Sequence, residues 1–147
     1  MLKSILGIVV GYLVMCLFAV AGYSAAYLVL GPERIFQAGT YALSGIWLGL
    51  MVVITLIAGL IGGLMCAGIS KNRTTGLVFA AIVLVLSFVF ALPNIMKEHP
   101  PVPRSGDVAT LQAMQMAQPP AWLCILNPIL AGVAVLIGTR MPKSHVV

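Results

Sequence analysis

Acid is what this chain is poorest in. Glu33, Glu98 and Asp107 are its only carboxylate side chains, and with eight Lys and Arg the charged fraction is 7% of 147 residues. A soluble globular domain carries about 25%. The few charges are also confined: none lies within four apolar stretches, roughly residues 4–30, 41–69, 75–92 and 121–139. Intramembrane proton relays, ion sites and catalytic dyads need buried ionisable groups, so that absence excludes them from the stretches themselves. Cysteine is scarce as well. Cys16, Cys66 and Cys124 are expected at different depths, whereas a disulfide needs Cα atoms within about 7 Å. Three small packing residues are the simpler reading. Neither His99 nor His145 falls in an apolar stretch and no CxxC occurs, so nothing suggests zinc or haem ligation. No metal and no cofactor are expected.

What the chain has instead is apolar length. Hydrophobic residues make up 61% of it and its mean hydropathy is +1.12. Each stretch can cross a hydrocarbon core of about 30 Å as a helix, and backbone amides in lipid must close their hydrogen bonds within such a helix. The reading is an all-α integral membrane protein, one domain over residues 1–147, with four transmembrane helices.

Charge orients them. Lys3 precedes the first span, Lys71 and Arg73 separate the second and third, and Arg140 and Lys143 follow the fourth, none with an acid nearby. In the other loops Glu33 offsets Arg34, and Glu98 with Asp107 offsets Lys97 and Arg104. Cationic loops stay inside, so both termini are expected in the cytoplasm, N-in and C-in, in a plasma membrane of the bacterial inner-membrane kind. Tyr27, Tyr41, Trp47 and Trp122 then fall toward the outer boundary, where Tyr41, Trp47 and Trp122 would serve as interface anchors. The formal charge of +5 is an orientation signal with some attraction to anionic lipid, and implies no nucleic-acid partner. Ala19-Val20-Ala21 has the form of a signal-peptidase site, but the apolar run continues to Leu30, beyond a signal core of 7–15 residues, so an uncleaved first helix is expected. Asn72-Arg73-Thr74 fits a glycosylation pattern on the side where no glycan is added.

Small residues indicate where helices meet. Gly7 and Gly11 form one small-xxx-small pair; Gly45 with Gly49, and Gly59 with Gly63 then Ala67, run along most of the second span. Such positions let backbones approach closely in lipid, which marks the second span as central. The glycines pack the protein's own bundle or dock another subunit. The third span is expected to face lipid and to halt at Pro93. In the fourth, Pro128 removes an amide and frees the Cys124 carbonyl, giving an expected kink with Asn127 beside it as a polar candidate. Tyr23, Ser24, Tyr27, Ser44, Ser87, Asn94 and Asn127 all fall in the outer half. They read as helix–helix hydrogen bonds worth about 0.6 kcal/mol each, or as the lining of an outward-opening crevice for a lipid, quinone or small neutral ligand.

The longest loop runs from Pro93 to Pro120. His99-Pro100-Pro101-Val102-Pro103 is held near polyproline geometry. Ser105 and Asp107 suit the start of a short outer-interface helix over 107–118. Met96, His99, Met114 and Met116 are soft potential copper ligands in no recognisable pattern. Trp47-Leu48 with Leu60-Ile61-Gly62, and Trp122-Leu123 with Leu136-Ile137-Gly138, hint at a duplicated helical hairpin. In general type the chain resembles small four-helix bacterial membrane proteins, a likeness that assigns no residue a role.

The expected function is that of a small non-catalytic membrane protein, an accessory or scaffolding subunit contacting membrane lipid and either other subunits or further copies of itself. The alternative is a small oligomeric transporter or channel for a neutral or small solute, with its path along the second helix and the kinked fourth. An enzyme would have only Glu98, His99 and Asp107 for acid–base work, on a loop that preorganises nothing.

Overall fold

The computed structural model describes residues 1–37, 41–96, 117 and 119–141. Four helices hold most of them: α1 (Leu2–Ile35), α2 (Gly45–Ser70), α3 (Arg73–Met96) and α4 (Ala121–Arg140). All four are long and apolar enough to cross a membrane, α1 over Leu2–Gly31. The proposed helix at 107–118, together with Glu98, His99, Asp107, Met114, Met116 and Lys143, lies outside the described residues, Ala117 apart.

Local chemistry sets the helix ends. At Gly31 the backbone leaves the helical region for φ 67° and ψ 163°, a conformation that glycine alone reaches cheaply. Pro32 follows it and forces its predecessor toward extended ψ. α2 begins at Gly45, four residues later than the apolar pattern suggested, because Ser44 caps it. Ser44 Oγ accepts the Trp47 amide at 3.3 Å and donates to the Arg34 carbonyl at 2.5 Å. The residues before it belong to a tight connection: Phe36 bridges Leu43, and the Gln37 amide donates to Ala42 O at 2.9 Å and the Ser44 amide to Ile35 O at 2.8 Å. α2 ends where Lys71 turns left-handed at φ 52°, and Asn72 Oδ1 caps α3 by accepting the Thr74 amide at 3.0 Å. Pro93 does not halt α3, which runs on to Met96. Pro93 breaks a single i→i−4 bond, that to the Val89 carbonyl, and only three residues of helix lie beyond it. α4 likewise contains Pro128.

Packing follows the glycines. α2 lies between α1 and α4, and α3 docks chiefly on α4. A Cβ on Gly11 would sit 2.8 Å from Gly62 O, and one on Gly62 would sit 2.9 Å from Gly11 O. That reciprocal approach marks the α1–α2 crossing, an antiparallel one, with Gly7 against Cys66 and Ser70. A Cβ on Gly59 would meet Ala134 Cβ at 2.7 Å; Gly63 lies under Val135 O, and Gly138 under Leu60 O. α2 and α4 therefore run parallel with their backbones in contact. Gly76 against Thr139, with a Cβ distance of 2.8 Å, joins the start of α3 to the end of α4. Gly62 faces α1 whereas Gly138 faces α2, so the paired Leu-Ile-Gly segments do not occupy equivalent places.

Two buried clusters result. Near the α2–α3 turn, Cys66, Phe79, Ala80, Val83, Ala131 and Val135 fill the space between α2, α3 and α4. At the opposite end Tyr27, Ile35, Phe36, Tyr41, Leu43 and Trp47 pack around the α1–α2 connection. Tyr27 meets Trp47 edge-on at 6.3 Å and Phe36 meets Tyr41 at 6.0 Å, separations typical of favourable aromatic pairs.

Candidate functional site

α3 touches α2 only sparingly, since α4 is its main support. Toward the aromatic end the gap between α2, α3 and α4 remains open as a crevice. One lobe, of about 330 Å³, is lined on its polar side by Thr55, Ser87, Asn94 and Asn127, and on its apolar side by residues including Met15, Met51, Phe90 and Leu123. A second, of about 310 Å³, lies among Tyr23, Tyr27, Phe36, Leu43 and Trp47. Met51, Asn94 and Pro119 border both lobes, so the two adjoin.

Polar groups in the walls fall into two kinds. The Tyr23 hydroxyl and Thr55 Oγ1 pair at 3.2 Å, with a longer contact from Tyr23 to Met51 O at 3.5 Å. These tie α1 to α2 and are satisfied. Tyr27 Oη and Asn127 Oδ1 are buried without a partner among the described residues. Leaving such a group unpaired in a dry interior costs about 1–3 kcal/mol, and both residues stand in the crevice wall. No described wall residue bears a charge. The lining can donate and accept hydrogen bonds. Among the described residues it includes no carboxylate or imidazole.

The crevice stops part-way along the bundle. Ala131 borders it, and beyond Ala131 the space is taken by Phe79, Val83, Cys66 and Val135, at most 1% exposed. Helix crossings at Gly11–Gly62 and Gly63–Gly138 close the same half. Near the α3–α4 ends a smaller cavity of about 250 Å³ is bordered by Arg73, Thr139 and Arg140.

No family model, curated protein or solved structure matches the chain. The residues themselves must carry the functional reading.

The sequence-derived sites divide by location. Gly7, Gly11, Gly59 and Gly63 stand at helix crossings, while Ala67 is half-buried on α2. Gly45 and Gly49 do not: a Cβ on either would meet nothing within 4 Å. Tyr41 and Trp47 are buried, at 5% and 6% exposure, rather than presented outward as anchors would be; Trp122 is 55% exposed. Tyr41 packs edge-on against Phe36, and Trp47 against Tyr27. Asn127 and Pro128 border the crevice, together with Ser87 and Asn94 from the outer-half polar group. Ser24 is exposed and Ser44 serves as a cap. Gly62, Gly76, Gly132, Gly138 and Thr55 were not legible as positions of contact. Gly138 and Gly132, six residues apart, lack the four-residue spacing that draws attention to a glycine pair. The three cysteines are free thiols.

Proposed function

We propose that the chain is a non-catalytic accessory or scaffolding subunit of a larger membrane assembly. One observation carries this reading. The small residues split into a set consumed by the bundle and a set left open. Gly7, Gly11, Gly59, Gly62, Gly63 and Gly138 are used at internal crossings, while Gly45 and Gly49 face outward one turn apart on α2, beside exposed Ile46 and Val53. A glycine pair at this spacing on an uncovered helix face permits close approach by a second helix, which is how helices associate where apolarity gives no driving force. α1 adds to the uncovered surface, with Leu13, Leu17, Val20, Leu28 and Val29 exposed.

The charge pattern supports a plasma-membrane location with the α2–α3 turn and both termini in the cytoplasm, and the crevice then opens in the outer half. Partners are membrane lipid and other membrane-protein subunits or further copies of the chain. The alternative, an oligomeric transporter or channel along α2 and α4, has the crevice in its favour. Against it, the half of the bundle around Phe79 and Val135 is closed, so a path would have to form between chains.

The test is assembly. Under mild detergent the native chain is expected to migrate with a partner or as an oligomer. Gly45→Leu and Gly49→Leu should release it as a monomer that keeps its helical signal, because neither position has a neighbour within 4 Å in the bundle to disturb. A chain that is monomeric from the outset, and that alone moves a solute into liposomes, defeats the proposal.

A further inference from the structure

The crevice goes beyond the subunit reading and is independent of it. We infer that it is a binding site for a neutral, hydroxyl-bearing amphiphile that enters sideways from the surrounding lipid.

Four observations converge. First, the size is right for a small-molecule site: two adjoining lobes of about 330 and 310 Å³, within the usual range of some 300–1,000 Å³. Second, the walls are mostly apolar, from Met15, Met51, Phe90 and Leu123. They suit a hydrocarbon body and offer nothing to a fully hydrated solute. Third, two unpaired polar groups stand in those walls. Tyr27 is 5% exposed with no partner for its hydroxyl among the described residues, and Asn127 Oδ1 is buried and likewise unpartnered. An amide oxygen only accepts, so it calls for an O–H or N–H donor; the phenol both donates and accepts. A ligand hydroxyl meets the first requirement; Tyr27 lines the other lobe, so its phenol is matched by a second oxygen farther along the ligand. Fourth, no described wall residue is charged. A phosphate or ammonium head would be stripped of water there with no counter-ion among the described residues, which favours diacylglycerol-, prenol- or quinol-type heads over phospholipid heads. Phe90, 71% exposed, and the exposed Asn94 stand at the margin of the opening on α3. That places the entrance on the flank of the bundle, where such molecules are dissolved.

The experiment uses the full-length protein in nanodiscs with a diazirine-bearing diacylglycerol as the photoprobe, followed by peptide mapping. Labelling is expected on crevice residues of α2, α3 and α4. An excess of unlabelled dioctanoylglycerol or dodecanol should suppress it, and dodecane or dodecyl phosphate at the same concentration should not. Asn127→Leu, which removes the acceptor and keeps the volume, should weaken competition by dodecanol about tenfold, equivalent to ~1.4 kcal/mol. Ser87→Phe fills the crevice from α3 without touching a glycine crossing and should abolish crevice labelling while the helical signal and melt stay native. Three results would each overturn the inference: labels spread over the exposed faces of α1, dodecane competing as well as dodecanol, or crevice labelling that survives Ser87→Phe. If Asn127→Leu fails to fold, the competitor series and Ser87→Phe still decide the matter.

Discussion

Gly63→Ala and Gly49→Ala add the same methyl group to the same helix, and their effects should have opposite sign. At position 63 the new Cβ falls against the Val135 carbonyl oxygen and lies 3.1 Å from both Gly138 Cα and Thr139 N. All of these are backbone atoms of α4, so no rotamer change relieves the overlap and α2 must move away from α4. Overpacking of this kind costs about 1–3 kcal/mol, and an immobile backbone partner places this case at the upper end. At position 49 the methyl meets nothing within 4 Å, and replacing glycine by alanine in a helix interior gains up to about 1 kcal/mol. The same gain applies at 63 and is outweighed there. Because the propensity gain is common to both, the two variants should differ by the overpacking alone, roughly 2–3 kcal/mol, which is a ratio of about 30 to 160 in the unfolding equilibrium. Denaturation in mixed micelles, followed by tryptophan fluorescence, measures this directly; Trp47 is buried in the aromatic cluster and should report its loss. Gly138→Ala should resemble Gly63→Ala. The double variant should cost less than the sum, because one separation of α2 from α4 relieves both overlaps. Equal effects at 49 and 63, or strict additivity of 63 with 138, would refute the assigned crossing.

Gly31→Ala should destabilise by about 1–3 kcal/mol despite the open space around it, because φ 67° with ψ 163° lies in a region that a Cβ makes costly; an unchanged denaturation midpoint would argue against that backbone. Ser44→Ala should cost about 1 kcal/mol through loss of the α2 cap, along with its bond to the Arg34 carbonyl, and Ser44→Asn should restore part of the capping. For orientation, cysteine introduced at exposed Gln37 in a cysteine-free background should react with an impermeant maleimide in intact cells, and cysteine at exposed Lys71 only after permeabilisation; the opposite pattern would overturn the charge argument.

Four membrane-length helices were legible from the sequence, because burial in hydrocarbon imposes a requirement on every residue of a span and so writes itself into composition. Ends were legible only where side chains act locally. Ser44 and Asn72 cap helices by their own chemistry, yet Ser44 was overlooked as a boundary because Tyr41 to Leu43 continue the apolar run. Pro93 does not mark the end of α3: a proline removes one amide and crowds one carbonyl, and the helix continues past it to Met96. The division of glycines was not legible either. Gly49 and Gly63 look alike as residues, and only the placement of α4 decides that one is pressed against a backbone while the other is bare. The same holds for polar groups. Tyr23 and Tyr27 are one helical turn apart on α1, but the position of Thr55 satisfies one hydroxyl and leaves the other without a partner among the described residues. The sequence alone determined that the chain forms apolar helices, because that is a property of each segment and its solvent. Which faces close, which stay open and where a crevice remains are properties of pairs of segments. They were decided by tertiary structure, in which α3 leans on α4 and touches α2 only sparingly.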